Sequence, residues 1–374
     1  MKRQGVVAGR RAGAFTWVSS VLLAVVTGLA IWGQPEVTGD QGHTPSVLAL
    51  PSWGAPTFDW PALRRLWHAR IEEVEKRGLL PILDIESSFG DDRAVTDEFA
   101  QVMDECGVAV IALGQEGRLA NLQALVQSHP SLFIPVPFAS LHRNVVGRED
   151  ANPFLDLLFA NVLRGGYPTM GEFFFRHYPS NVQQRGDAWE MADVHIPIDG
   201  PYVNRIFAFA QESHIPFQIH YEVEDSLLPP LEKMLARYPG ATVVWCHVGR
   251  IRYLNRSRRY GAEYVRGLLA RYPNLYFDTS CSDPTSVWPL HNGTGVSRMW
   301  DEHRGHLQPA WVDVVTSYPD RFLAALDLGS DRLDVRNLRR YTFWLRHFLA
   351  EFPPDVQRRI AYRNSWTLLF HEQF

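Results

Sequence analysis

The 374-residue sequence predicts an α/β protein, a (β/α)8 TIM barrel preceded by an N-terminal transmembrane helix. Eight short apolar segments of strand character alternate with segments of helical periodicity. Several of these strand segments end on a histidine or a carboxylate. In a barrel of parallel strands all carboxyl ends meet at one face, so these residues would converge there. An open doubly wound sheet is the alternative, but the sequence has no glycine-rich phosphate fingerprint after its first strand.

The N-terminal 33 residues predict a signal anchor or a signal peptide. Basic residues precede an uncharged, largely apolar run over 12–33, which is long enough to span a bilayer. The positive flank predicts that the rest of the chain lies on the extracytoplasmic, periplasmic side, anchored in the inner or plasma membrane. The residues before Trp32 fit a cleavage site poorly, so we favour an anchor over a cleaved signal, which would give a secreted protein. Residues 34–56 predict a flexible tether, and residues 57–374 predict the barrel.

Composition limits the partners that the chain is expected to have. A net charge of -4 shows no basic bias towards nucleic acid. The three cysteines, Cys106, Cys246 and Cys281, have no C-x-x-C spacing and predict neither a disulfide framework nor a zinc ribbon. Cys246 is expected to be a small buried hydrophobe. The expected partners are a small-molecule substrate and the membrane. The sequence is also compatible with a homo-oligomer.

The elements alternate along the chain without a break in composition. The predicted strands cover residues 79–85, 108–113, 132–138, 169–175, 215–220, 241–247, 274–278 and 321–327. The predicted helices cover residues 63–74, 95–103, 119–126, 154–163, 202–212, 228–237, 260–271, 337–352 and 356–370. The polar loop 176–200 is longer than a usual connection between strand and helix, which indicates a functional loop. Glu222, Glu224 and Asp225 are expected to form a solvated acidic loop.

The order of the strand ends resembles the amidohydrolase superfamily, and most closely its amidohydrolase-related group of metal-dependent TIM-barrel hydrolases and decarboxylases. In that group a first-strand D-x-H-x-H, a fifth-strand His, a sixth-strand H-x-G and an eighth-strand Asp surround a divalent metal. This sequence has His220, His247-Val248-Gly249, the seventh-strand NLYFDTS and Asp327 in the same order. The resemblance covers roughly the whole chain after the tether.

The first strand departs from the family pattern. Asp84 stands at the usual aspartate, but Glu86-Ser87-Ser88 replaces His-x-His, so two imidazole ligands are missing. Glu86 can still be an oxygen ligand, whereas Ser88 is a poor one. On the fourth strand, Glu172 lies where binuclear relatives place a bridging carboxylated lysine.

The resemblance and the residue types together predict one divalent metal ion, with zinc favoured over manganese or iron. Its predicted ligands are Glu86, His220 and Asp327, with Glu172 as a further ligand. Such an ion lowers the pKa of bound water and polarises a substrate carbonyl.

The predicted catalytic residues are His247 and Asp327. His247 is expected to hydrogen-bond the substrate carbonyl, and Asp327 to carry a proton from water to the leaving group. Arg250, the first residue of a basic cluster, and Asp278 are the predicted substrate-binding residues.

These residues predict a metal-dependent hydrolase that acts on a small amide, lactone or ester. The same constellation can serve a metal-dependent decarboxylase. A third interpretation is a catalytically lapsed barrel that binds a ligand at the membrane, because the first-strand histidines are missing.

Overall fold

A computed structural model of the chain describes residues 58–89, 95–115, 119–137, 152–179, 193–280, 284, 288–290, 293–301, 303, 305–329 and 332–374. The predicted anchor and tether, residues 1–33 and 34–56, lie outside the described residues. Among the helices of the described part, none is long and apolar enough to cross a membrane.

Parallel strands follow one another in chain order. They are β1 (Ile82–Phe89), β2 (Val108–Gln115), β3 (Phe133–Val136), β4 (Glu172–His177), β5 (Phe217–Tyr221), β6 (Val243–Trp245), β7 (Leu275–Asp278) and β8 (Phe322–Leu323). Strands β1, β2 and β3 pair in that order, and β4, β5, β6, β7 and β8 pair in that order. The predicted α/β class and the order of its strands are confirmed.

The segment after β8 hydrogen-bonds to β1. The Ile85 N–H donates to the Ala324 carbonyl at 3.1 Å, and the Ser88 N–H donates to the Leu328 carbonyl at 2.7 Å. In the other direction, the Asp327 N–H donates to the Glu86 carbonyl at 2.8 Å. The end of the strand series therefore lies beside its beginning, and this brings Asp327 next to Glu86.

Helices separate the parallel strands. They are α1 (Trp60–Lys76), α2 (Asp97–Cys106), α3 (Leu119–Ser128), α4 (Asn152–Gly165), α5 (Pro201–Ser213), α6 (Leu228–Arg237), α7 (Ala262–Arg271), α8 (Pro309–Ser317) and α9 (Val335–Leu349). The chain ends with Pro354–Arg358, the π-helical turn Arg359–Arg363 and Asn364–Phe370.

Local sequence signals account for where several helices begin. The side chains of Asp59, Thr96 and Asp334 accept backbone N–H groups in the first turns of α1, α2 and α9. Such caps satisfy donors that have no partner within the helix. Helices α5, α6 and α8 each carry a proline in their first turn, where its missing N–H costs nothing.

The strands are buried on both faces, as expected for parallel strands covered by helices. Every residue of β1 is buried, including its polar ones. Helix α1 packs its apolar stripe against the sheet through Leu63, Trp67, Ile71 and Val74. Polar side chains inside such a core need partners, which makes the contacts of Asp84 and Glu86 informative.

Some elements were not predicted. Helix α8 was missed, and so was an antiparallel sheet formed by Arg250–Ile251, Gly293–Ser297 and Trp288–Leu290. Its strands are too short to show a period. The predicted loop 176–200 includes the short strand Val194–His195, which pairs with the end of β4.

Candidate metal centre

Three ligand atoms from neighbouring strands converge in the core. His220 Nδ1, on β5, lies 3.3 Å from Oε1 of Glu172 on β4 and 3.0 Å from Nε2 of His247, which follows β6. His247 Nε2 lies 3.9 Å from Glu172 Oε1. Ligand atoms about 2.0–2.2 Å from a tetrahedral ion are roughly 3.3–3.6 Å apart. The three atoms therefore have nearly the spacing of a coordination sphere.

Strand register and a tight turn place the two imidazoles. Residue 219 on β5 pairs with Trp245 on β6, so His247 continues past the strand into a turn with φ 66°. Gly249 follows with φ 79°, and a Cβ there would collide with the Met299 side chain. Asp278 Oδ1 accepts the backbone N–H of His247 at 2.9 Å. The H-x-G motif thus gives the turn that directs His247 towards His220.

A buried carboxylate orients His220. Glu222 Oε1 lies 3.3 Å from His220 Nε2, and it also contacts Arg250 at 3.3 Å and Arg252 at 3.2 Å. Burial opposes ionisation of Glu222, but Arg252 and Arg250 outweigh it and lower its pKa below the usual range. Because a carboxylate only accepts, Nε2 of His220 carries a hydrogen and donates it to Glu222, and Nδ1 is the ligand atom that faces the centre.

A serine plays the matching part for His247. Ser280 Oγ lies 2.7 Å from His247 Nδ1, 2.7 Å from Glu86 Oε2 and 2.6 Å from Asp278 Oδ1. Burial and the charge of Arg250 lower the pKa of His247, so the imidazole is neutral. A neutral imidazole whose Nδ1 side is occupied presents Nε2 as a ligand atom.

Glu86 adds a carboxylate beside these three atoms. Its Oε1 is 4.0 Å from His247 Nε2, is buried, and accepts no hydrogen bond from the described residues. Burial raises the pKa of Glu86, and the charges of Asp278, Glu172 and Asp327 raise it further. Burial also raises the pKa of Glu172, although His220 opposes this. A cation would stabilise all of these carboxylates, so the residues present fit a divalent metal ion.

Asp327 contacts an arginine. Its two oxygens accept from the two terminal nitrogens of Arg332 at 2.8 Å each. Asp327 belongs to neither group of closely spaced ligand atoms found within the described ranges. Its predicted roles as metal ligand and proton carrier stay predictions.

Asp84 has a structural role. It accepts hydrogen bonds from the backbone N–H of Glu86 at 3.0 Å, the N–H of Leu326 at 2.9 Å and the Ser87 hydroxyl at 2.5 Å. The Ser87 hydroxyl in turn accepts the Leu328 N–H at 3.0 Å. Burial raises the pKa of Asp84 to about 7. These bonds fasten β1 to the segment that follows β8.

The predicted substrate-binding residues contact other parts of the site. Arg250 is buried and pairs with Glu222, and Asp278 is fully buried and holds the backbone of His247 and Ser280. Substrate binding by Arg250 and Asp278 therefore stays a prediction.

The expectation of a solvated loop was wrong for Glu222, which is 3% exposed. Its position two residues after His220, directly past the end of β5, is the signal that could have identified it. Ser280 was also missed, and only its place in the seventh-strand NLYFDTS run pointed to it.

A family model described as Amidohydrolase matches residues 175–370, which is more than half of the chain. The chain belongs to the amidohydrolase family. Members of this family are metal-dependent hydrolases and decarboxylases, so the predicted superfamily and the prediction of an enzyme are confirmed. The matched range includes His220, His247 and Asp327 but leaves out the altered first strand. A comparison with curated protein sequences finds no match.

Solved structures show similar chain traces. A dihydroxybenzoic acid decarboxylase from Polaromonas sp. JS666 with bound manganese and an inhibitor has a TM-score of 0.46 and 13% identity, covering 78% of this chain and 97% of that chain. A 2,6-dihydroxybenzoate decarboxylase from Rhizobium has a TM-score of 0.45 and 11% identity, covering 78% and 99%. An amidohydrolase from Burkholderia multivorans with bound zinc has a TM-score of 0.42 and 13% identity, covering 77% and 99%. Similarities at this level transfer neither a substrate nor a reaction to this chain.

Proposed function

We propose that the protein is a metal-dependent hydrolase that cleaves a small carbonyl compound, namely an amide, a lactone or an ester. The observation that carries this proposal is the convergence of Glu172 Oε1, His220 Nδ1 and His247 Nε2 within 3.0–3.9 Å. A divalent ion bound at such a site acts as a Lewis acid and lowers the pKa of bound water towards about 7.

Glu172, His220 and His247 would hold the ion, and Glu86 would supply a further oxygen. Two imidazoles with carboxylates suit zinc, and manganese and iron accept the same donors. We assign His247 to the ligands because its Nε2 lies 3.0 Å from the other imidazole nitrogen, while its Nδ1 is occupied by Ser280. This role replaces the electrophile expected from the sequence.

Asp327 is the proposed proton carrier. Arg332 contacts both of its oxygens and thereby fixes the orientation of the carboxylate beside Glu86. In this position Asp327 takes a proton as water attacks the carbonyl and returns it to the leaving group.

A decarboxylase is the second candidate, and Arg332 is the observation that favours it. Its positive charge helps to lower the pKa of His247, so the guanidinium acts on the site electrostatically. Arginine is well suited to hold a substrate carboxylate. We favour hydrolysis because both terminal nitrogens of Arg332 already bind Asp327, so a substrate carboxylate would have to compete with it.

We also propose that the strands close as a (β/α)8 barrel and that residues 1–33 anchor the protein with this barrel on the extracytoplasmic side. The hydrogen bonds between β1 and the segment after β8 support closure. The basic flank of the apolar run 12–33 supports the orientation. The proposed partner is a small-molecule substrate, and we propose that the protein does not bind nucleic acid. A homo-oligomer is compatible with both proposals.

The experiment measures metal content and activity together on the purified full chain. We expect stoichiometric zinc and hydrolysis of at least one substrate from a panel of small amides, lactones and esters, lost with a chelator and restored by zinc. Carbon dioxide release from carboxylic acids without any hydrolysis would select the decarboxylase. If the chain binds no metal and a chelator does not change its stability, the catalytically lapsed barrel that binds a ligand would be supported instead.

A further inference from the structure

We propose that Glu86, Cys246 and Asp278 form a second metal position beside the first, which takes a divalent ion through a cysteine thiolate. The inference rests on the proposed function, because both ions would share one cavity. The ligand atoms of these residues all lie within 4.8 Å of one another, and all three side chains are buried. Their exposed fractions are 6%, 3% and 0%.

Glu86 Oε1 is buried and accepts no hydrogen bond from the described residues. Asp278 Oδ2 is also buried, and the Asp278 carboxylate accepts the thiol hydrogen of Cys246. The other Asp278 oxygen accepts the backbone N–H groups of His247 at 2.9 Å and Ser280 at 3.0 Å, which fixes the carboxylate in place. A buried ionised carboxylate without a partner is costly, and a cation removes that cost.

Ser280 connects the two positions. Its hydroxyl contacts Glu86, Asp278 and His247 at 2.6–2.7 Å. A hydroxyl has one hydrogen to donate, so it donates fully to one carboxylate at a time. Ser280 thus contacts one ligand of the first position and two of the second, which orients them.

The surroundings of Cys246 differ from those of a buried apolar residue. Burial raises the pKa of its thiol, and the charges of Asp278, Glu86 and Glu172 raise it further. Coordination to a metal deprotonates a thiol, so Cys246 would bind as a thiolate. Sulfur together with carboxylate oxygen favours zinc over manganese at this position.

The experiment reconstitutes the metal-free full chain with zinc and, separately, with cobalt(II). We expect two equivalents of metal per chain and a thiolate-to-cobalt charge-transfer band in the near ultraviolet. In Cys246→Ser one equivalent should remain and the band should be lost. Cys106→Ser is the control and should keep both equivalents and the band.

The outcomes separate this proposal from the proposed function. One equivalent without a thiolate band in the parent chain overturns the second position and leaves the first standing. No bound metal overturns both. A band that persists in Cys246→Ser overturns the thiolate ligand. If Cys246→Ser fails to fold, Asp278→Asn tests the same position, because its amide oxygen still accepts the two backbone N–H groups. Two equivalents retained in Asp278→Asn would overturn the proposal.

Discussion

The carboxylates at the carboxyl ends of the strands have different partners in two regions of the site. Where β1 meets the segment after β8, Asp84 accepts from two backbone N–H groups and a hydroxyl, and Asp327 is paired with Arg332. On the side of β4, β5 and β6, Glu172 faces two imidazole nitrogens. Glu86 reaches this side from β1, with its Oε1 4.0 Å from His247 Nε2, and this oxygen has no hydrogen-bond donor among the described residues. The carboxylates of the first side thus have donors from the protein, whereas on the second side Glu86 Oε1 has none among the described residues.

This difference locates the proposed metal site on the β4–β6 side. The first strand lacks the two imidazoles of the family pattern. The aspartate that would bind the same metal, Asp327, pairs with Arg332. In this chain the two imidazoles that face each other are those of His220 and His247. Glu222 orients the ring of His220, and Ser280 orients the ring of His247. We therefore expect metal binding to depend on the β4–β6 side and to be insensitive to changes at Asp327.

The largest expected effect follows from removing an imidazole on the β4–β6 side. His220→Asn should weaken zinc binding about 100- to 1,000-fold, because structural zinc sites of about four ligands bind with roughly 10–16 kcal/mol in total. Competition with a chromophoric chelator measures this. His371→Asn, at an exposed histidine, is the control and should bind like the parent. Equal affinities of the two variants would contradict the assignment of His220.

A smaller effect is expected from the carboxylate that orients His220. Glu222→Gln should weaken zinc binding about 10- to 100-fold, because partners of metal-binding histidines contribute on that scale. The same competition assay applies, with Glu212→Gln at an exposed position of α5 as the matched control. Unchanged zinc affinity in Glu222→Gln would show that its only role is to pair with Arg250 and Arg252.

The buried Asp84 carboxyl predicts a pH dependence of the stability of the metal-free chain. The folded-state pKa of Asp84 is raised to about 7, so the folded chain holds a proton that the unfolded chain loses near pH 4. This contribution to stability is full below pH 4 and is lost as the pH rises to about 7, at up to about 1.4 kcal/mol per pH unit. Denaturant unfolding of the metal-free parent and of Asp84→Asn measures it, and the slope should be shallower in the variant. Identical slopes would refute the prediction.

The smallest effect is expected at the paired aspartate. Asp327→Asn should change zinc affinity by less than about tenfold, which is about 1.4 kcal/mol, because its oxygens already bind Arg332. Ser88→Ala should change it as little. A loss of zinc in Asp327→Asn as large as that in His220→Asn would mean that metal replaces Arg332 as the partner of Asp327.

The sequence predicted the elements better than the partners of the site residues. Apolar runs and helical periods are local signals, so the order of strands and the positions of His220 and His247 followed from them. The pairings of Glu222 with Arg250 and of Asp327 with Arg332 depend on how loops fold back over the strand ends, and residue type does not specify them. Cys246 is buried, as expected, but Asp278 lies 32 residues later, so the sequence alone does not show that the two residues meet.

The central claim is that Glu172, His220 and His247 hold a metal ion. Anomalous diffraction at the zinc edge, from crystals of the full chain grown with zinc, tests it most directly. We predict a peak about 2.0–2.2 Å from Glu172 Oε1, His220 Nδ1 and His247 Nε2. A zinc peak bound by Asp327 without His247, or zinc absent from these three atoms, would contradict the account.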